Sequence, residues 1–402
     1  SLEPEGMRFY APEPGATVGP ASSICLHCRP AGLSRMSISV DGREIGTWDR
    51  SQHSGNSFSF GIRGDRVTGS VADGTHTLIG VGIYQDGSQL RCQIPITVDS
   101  QFHEDRPVAD DSVAINFAGS GYIGARIPLT EDGRRGATEL KLQTTEGLAV
   151  GDVILIDGPA TARWKSLTQS ACQWGIYRRY EVTVEAIEGD TITISQPLRI
   201  EFPVIDGSTV QKMSVIEGCG LEDLYLEQTE NLWITSVQFT HAWNCWARGV
   251  TVRMCGRHPV YGLMAKWCTI RDCVFDDAWF KGGGGTAYVG WEHSWDCLME
   301  GVETYLMRHA PLVQWATSGC VIRNSIFHDS DMQWHAGWTN ENLFENCTVI
   351  SVRDHGSYGH GAWASPPEDA AHGPNGPRNV VYNCDISSPS TGLWMGGMNE
   401  NW

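Results

Sequence analysis

One octet recurs seven times in the second half of the chain: "CGLEDLYL" (219–226), "CWARGVTV" (245–252), "CTIRDCVF" (268–275), "CLMEGVET" (297–304), "CVIRNSIF" (320–327), "NLFENCTV" (342–349) and "NVVYNCDI" (379–386). Its first column is Cys five times and then Asn twice, and its third column runs Leu221, Ala247, Ile270, Met299, Ile322, Phe344, Val381. Columns one and three project to the same side of a short strand, and columns six and eight to the same side of a second one. Between them, the fifth column holds only Asp, Gly or Asn: Asp223, Gly249, Asp272, Gly301, Asn324, Asn346, Asn383. These are the residues that tolerate a left-handed backbone, so the spacing predicts strand, sharp corner, strand. No helical periodicity separates the copies, and each coil therefore stacks on the last as parallel sheet. Such a solenoid buries each turn against its neighbours.

The repeat resembles the right-handed parallel β-helix proteins of the pectate-lyase-like superfamily, many of which act on carbohydrates. The expected fold class is thus all-β: a β-helix preceded by an immunoglobulin-like β-sandwich and interrupted early by a small β-barrel. Residues 1–105 read as the sandwich, because runs such as "MSISVDGREIG" alternate apolar and polar residues around Asp-Gly turns. Residues 106–136 lead into the β-helix, with "SVAINFAGSGYIGA" (112–125) as its first turn. Residues 137–203 read as the barrel insertion, from "GLAVGDVILI" and "YEVTVEAIEGDTITI". Residues 204–402 carry the coils. The chain stops just after a repeat, so association through an uncapped C-terminal end is expected.

Composition narrows the function classes. The net charge of −18 opposes nucleic acid and anionic membranes, and no apolar run is long enough for membrane insertion. The opening "SLEPEG", without Met, reads as a mature or trimmed start and points to a secreted or periplasmic location. The 13 Cys lack zinc-finger spacing. "CLHC" (Cys25 to Cys28) is a lone C-x-x-C, a weak metal or redox signal, and Cys92 is expected to pair with Cys25 or Cys28 across the sandwich.

Inward residues of a solenoid are committed to packing, so chemistry belongs to corners and outward faces. Just past successive octets lie Arg257 and His258, then Asp276, Asp277 and Lys281, then Tyr305, Arg308 and His309, then Asp329 and Asp331, then Asp354, His355 and Tyr358. Stacking at about 4.8 Å per coil brings them to one side of the cylinder. A third strand per coil carries a recurrent Trp: Trp267, Trp291, Trp315, Trp334, Trp363 and Trp394. Period two pairs Val289 with Trp291 and Met332 with Trp334, which predicts an internal Trp stack. Lys266, Gly290, Gln314, Gln333 and His335 then point outward and floor a groove for a polysaccharide or oligosaccharide.

Glycoside hydrolysis needs two carboxyl groups, one protonated and one ionised. Asp276, Asp277, Asp329, Asp331 and Asp354 are the candidates, tuned by His309. His258, Lys281, Tyr305, Arg308, Gln314, Gln333, His335, His355 and Tyr358 are candidate substrate contacts. A polysaccharide lyase is the alternative, with a Tyr, His or Arg base and Ca²⁺ as an option if the aspartates hold it. A third reading is a glycan-binding or tailspike-like structural protein. The resemblance does not extend to the pectin hydrolases. The pair Asp276 and Asp277 and the "GHG" at 359–361 are present, but the Asn-Thr-Asp before them and the Arg-x-Lys after them are not.

Overall fold

Each column of the octet repeat lies in register with the same column on the next coil. In the computed structural model, residues 6–29, 33–49, 58–102, 112–170, 177–281, 285–351, 362–364, 372–387 and 393–395 are described. Three parallel sheets run the length of the solenoid. The first includes Thr235–Trp243, Val260–Lys266, Tyr288–Glu292, His309–Gln314 and Met332–Trp334. The second runs from Gly220–Glu222 to Val380–Tyr382, and the third from Tyr225–Glu227 to Asp385–Ser387. Ala247, Ile270, Met299, Ile322 and Phe344 pair in unbroken register and are fully buried. Cys245, Cys268, Cys297 and Cys320 stack as a buried column, and Asn342 and Asn379 extend it, Asn342 Nδ2 donating to Asn379 Oδ1 at 3.0 Å. The parallel sheets with short crossovers make the coil right-handed.

The fifth column behaves as its residue types require. Asp223, Gly249, Asp272, Gly301, Asn324, Asn346 and Asn383 all have φ between 50° and 65°. On the outside they form a ladder, Asn383 Nδ2 donating to Asn346 Oδ1 at 2.7 Å and Asn346 Nδ2 to Asn324 Oδ1 at 3.3 Å. A β-branched side chain cannot enter this region cheaply. Asn324→Val is expected to lower stability by about 1–2 kcal/mol, and Asn324→Gly by less, as measured by urea-denaturation midpoints.

Val113–Ala118 pairs in parallel with Thr235–Trp243 and is the first coil, so the chain enters the solenoid before the insertion. The insertion is an antiparallel six-stranded sheet that closes through a bridge from Leu129 to Leu142. It takes in Gly121–Pro128 and Thr209–Ser214, one on each side of the 137–203 span read from sequence. Its core of Ile154, Ile156, Val182, Val184, Phe202 and Val210 reaches Met264 and Trp295 of the solenoid.

The N-terminal unit is a two-sheet sandwich, three strands against five, around Leu26, Met36, Ile38, Leu78 and Ile96. Among the described residues it contains no disulfide. Cys25, Cys28 and Cys92 are all free thiols, which corrects the pairing expected from sequence. Three residues apart on one strand, Cys25 and Cys28 face opposite ways. Cys28 packs in the sandwich core, while Cys25 faces out against Leu306 of the solenoid. The sandwich leans on the third sheet, where Tyr10 stacks on Tyr305 (4.3 Å between ring centres) and Tyr305 on His328 (4.6 Å). Arg253 forms an ion pair with Glu13 across this seam.

Candidate active site

The corner residues divide between two places. Asp276, Asp277, Lys281, Tyr305 and Asp329 lie where the sandwich meets the solenoid. His258, Arg308, His309, Gln314, Asp331, Gln333 and His335 lie on the outward face of the first sheet. Asp354, His355 and Tyr358, with the "GHG" at 359–361, are outside the described residues.

At the seam, a cavity of about 500 Å³ is lined by Arg8, Tyr10, Glu13, Arg253, Asp276, Asp277 and Tyr305 among others. Asp277 has a left-handed backbone (φ 65°) and accepts from Lys281 Nζ at 2.6 Å. Tyr305 donates its hydroxyl to Glu303. Asp329 is fully buried, and neither of its oxygens accepts a hydrogen bond from a nitrogen or oxygen donor in the structure. Burial pushes its carboxyl up to about 7, against the opposing pull of the Cys25 thiol and with a smaller upward push from the charge of Asp277. The folded carboxyl therefore keeps its proton to about pH 7, whereas the unfolded one releases it near pH 4. Between those values the folded state binds the extra proton, so stability is withdrawn as pH rises through the window. Asp329→Asn remains neutral throughout. Its melting temperature is expected to match the wild type at pH 4 and to exceed it at pH 8.

The other face is a polar network over an apolar floor. Strand alternation turns Val289, Trp291, Val313, Met332 and Trp334 into the core and leaves Tyr288, Gly290, Glu292, Leu312, Gln314 and Gln333 outside. Trp291 and Trp334 thus point into the core as expected, in one column with Val313 between them. Trp267 and Trp315 do not join it, because left-handed backbones (φ 53° and 48°) flip them out at the strand ends. Trp267 is 37% exposed, and Trp315 packs on Tyr177. Trp363 and Trp394 pair in register with Gln333 and with each other, and their side chains are outside the described set. Lys266 meets the insertion instead of the groove, its Nζ lying 4.6 Å from the centre of the Tyr180 ring and 2.8 Å from Asp296 of the solenoid.

His309 and Asp331 form the centre of the network. Asp331 is fully buried, its Oδ1 lying 2.8 Å from His309 Nδ1 while its Oδ2 accepts from Gln333 Nε2, also at 2.8 Å. The Tyr288 ring sits 4.9 Å from that of His309, and the Tyr288 hydroxyl accepts from Arg308 at 2.9 Å. Burial raises the Tyr288 phenol above its usual range although Arg308 pulls it down, so it remains protonated. Burial depresses His258 and His335 well below the ordinary imidazole value, and both are neutral near pH 7. His335 Nδ1 pairs with Gln314 Oε1 at 2.9 Å, and His258 stacks on Tyr261 at 4.2 Å. Glu292 accepts from Tyr261 and from Gln314, each at 2.8 Å, and burial raises its carboxyl.

Tyr261, Tyr288, Glu292 and His372 were not anticipated from sequence. The signal for two of them was present. Once Val289 and Trp291 are assigned inward, Tyr288 and Glu292 must join Gly290 on the outside. Among the described residues, no group of three or more His, Cys, Asp or Glu has an arrangement that would hold a metal ion.

No family model and no curated protein sequence matches the chain. Among solved structures it is similar to the tailspike protein gp49 of Pseudomonas phage LKA1, at 16% identity and a TM-score of 0.46, over 72% of this chain and 44% of that one. It is also similar to the Gp54 tailspike of Acinetobacter baumannii bacteriophage AP22, described in complex with a capsular saccharide, at 13% identity and a TM-score of 0.40, over 67% and 42%. The Yersinia enterocolitica family 28 exopolygalacturonase matches at 10% identity and a TM-score of 0.30, over 94% and 80%. The chain spans less than half the length of either tailspike. At these values the likenesses concern fold and carry no argument about activity. The stacked parallel sheets and the left-handed corner column make this chain a right-handed parallel β-helix.

Proposed function

We propose that this protein acts on a polysaccharide and cleaves it by elimination beside a uronate, at the outward face of the first sheet. The observation that carries this reading is the His309–Asp331 pair next to Tyr288 and Arg308. Asp331 fixes the His309 ring through Nδ1, which assigns proton exchange to Nε2. Nε2 removes the proton from the carbon bearing the carboxylate. The electron pair of that C–H bond becomes the new C=C bond as the neighbouring C–O bond breaks. The protonated Tyr288 hydroxyl gives its proton to the departing glycosidic oxygen. Arg308 offsets the charge that gathers on the uronate carboxylate.

Hydrolysis is the second reading, and Glu292 favours it, since a buried carboxyl with a raised pKa suits a general acid. Distance puts it second. Glu292 pairs with Gln314, which is level with His335, so Asp331 lies two coils on and four residues back. That is roughly 16 Å between backbone positions by strand spacing and rise. Side chains would have to close it to about 6.5–9.5 Å for an inverting pair. Moreover, both oxygens of Asp331 already hold partners.

Product analysis on a panel of acidic and neutral polysaccharides tests the reading. Elimination yields an unsaturated uronate with ultraviolet absorbance. New reducing ends without that absorbance, lost in Glu292→Gln, would establish hydrolysis in its place. Binding of the same glycans without any turnover would leave a glycan-binding protein.

A further inference from the structure

A cleft of about 340 Å³ lies where the barrel insertion meets the solenoid, away from His309. Its volume is at the lower end of the range for small-ligand pockets. In a chain of net charge −18, its walls hold Arg135, Arg163, Arg178, Arg199 and Arg378 against a single carboxylate, Glu201. The acids that balance these arginines stand beside the cleft and not in its lining: Glu341 pairs with Arg199, Arg378 and Arg135, and Asp296 with Arg199. Asp206 is buried and grips Arg163 through Nε and Nη2 (3.0 and 2.5 Å) and Arg178 (2.9 Å). A guanidinium has five N–H donors, so Asp206 takes two of Arg163's and fixes the direction of the rest. The side chains of Arg135 and Arg163 remain 55% and 40% exposed. Between the arginines stand two indoles, Trp164 and Trp338, edge to face at 5.1 Å. Arginine forks with indole faces suit a ring that carries a carboxylate.

The cleft is also joined to the site on the first sheet by successive ring contacts. His335 touches His372 (4.2 Å), His372 Trp315 (6.4 Å), Trp315 Tyr177 (6.4 Å) and Tyr177 Trp164 (4.8 Å). We propose that the insertion supplies a remote subsite, in which a second carboxylate-bearing sugar of the same polysaccharide is held by Arg135 and Arg163 against Trp164 and Trp338. This deepens the elimination reading and rests on it for the identity of the substrate, but the cleft binds its sugar without turnover.

The probes are glucuronate, galacturonate, mannuronate and guluronate, with glucose as the uncharged control, titrated against tryptophan fluorescence. At least one uronate is expected to quench saturably, and glucose is not. Arg135→Gln/Arg163→Gln weakens that binding about tenfold or more, and Asp331→Asn leaves it unchanged. Arg135→Gln alone, whose nearest acid Glu341 is 3.8 Å away, guards against a folding defect in the double variant and shows part of the loss. No saturable uronate binding, or equal binding in the wild type and both arginine variants, overturns the subsite. Kinetics separate it from the catalytic reading: the double variant raises KM for the cleaved polysaccharide and keeps kcat. A wild type that binds uronate here and cleaves nothing preserves the cleft and removes the elimination.

Discussion

Asp331→Asn is expected to lower the rate of glycan cleavage by about 10²–10⁴-fold, the range for losing the group that orients a catalytic imidazole. The amide is nearly isosteric with the carboxylate, but it can neither hold the Nδ1 proton as strongly nor stabilise the imidazolium formed when Nε2 takes a proton. KM should change little, because Asp331 is fully buried under His309 and Gln333 and reaches substrate only through them. The comparison with Asp276→Asn and Asp329→Asn is decisive for location. Both of those aspartates sit at the sandwich seam and should retain turnover within a few fold. Initial rates on the cleaved polysaccharide, with melting curves to confirm folding, give the answer. Equal losses in Asp276→Asn and Asp331→Asn would move the chemistry to the seam or divide it between the two places.

Trp334→Ala is expected to cost about 3–5 kcal/mol, the largest single effect on stability among the substitutions considered. The indole is fully buried in the solenoid core and stacks on Phe344 at 4.8 Å. No smaller side chain on the adjacent coils can fill the space, since Val313 and Phe344 are themselves fixed in register columns. The damage should reach the site, because Gln333 and His335 flank Trp334 on the same strand segment and take their outward direction from it. Trp267→Ala is the control. Trp267 is a third exposed and packs edge to face on Trp243, so its loss should cost less than half as much. Urea-denaturation midpoints of the two variants, set against the wild type, measure the difference.

The solenoid could be read from sequence because its constraints repeat. One Asn or Asp says little about backbone conformation, whereas seven such positions in one column, each followed by the same apolar spacing, leave few alternatives to a corner. Site residues carry no such redundancy. His309 and Asp331 were legible only as members of the charged runs that follow successive octets, whereas the outward positions of Gln314 and Gln333 followed from strand parity. Asp276, Asp277 and Asp329 looked equivalent to Asp331 on paper. What separates them is the sandwich, which lies over the third sheet and claims that corner through Tyr10, Glu13 and Cys25. No spacing within the repeats encodes where a distant unit will dock. The two misplaced indoles fail for a different reason. Trp267 and Trp315 sit at strand ends where φ turns positive, and period-two reasoning ends where the strand does.

The most direct measurement is the crystal structure of Asp331→Asn soaked with an oligosaccharide of the polysaccharide that the wild type cleaves. The sugar is expected over the first sheet, with a uronate carboxylate on Arg308 and the carbon beside it about 3–3.5 Å from His309 Nε2. Sugar bound instead between the sandwich and the third sheet, against Arg8, Tyr225 and Asp276, with nothing over His309, would contradict the assignment of the active site.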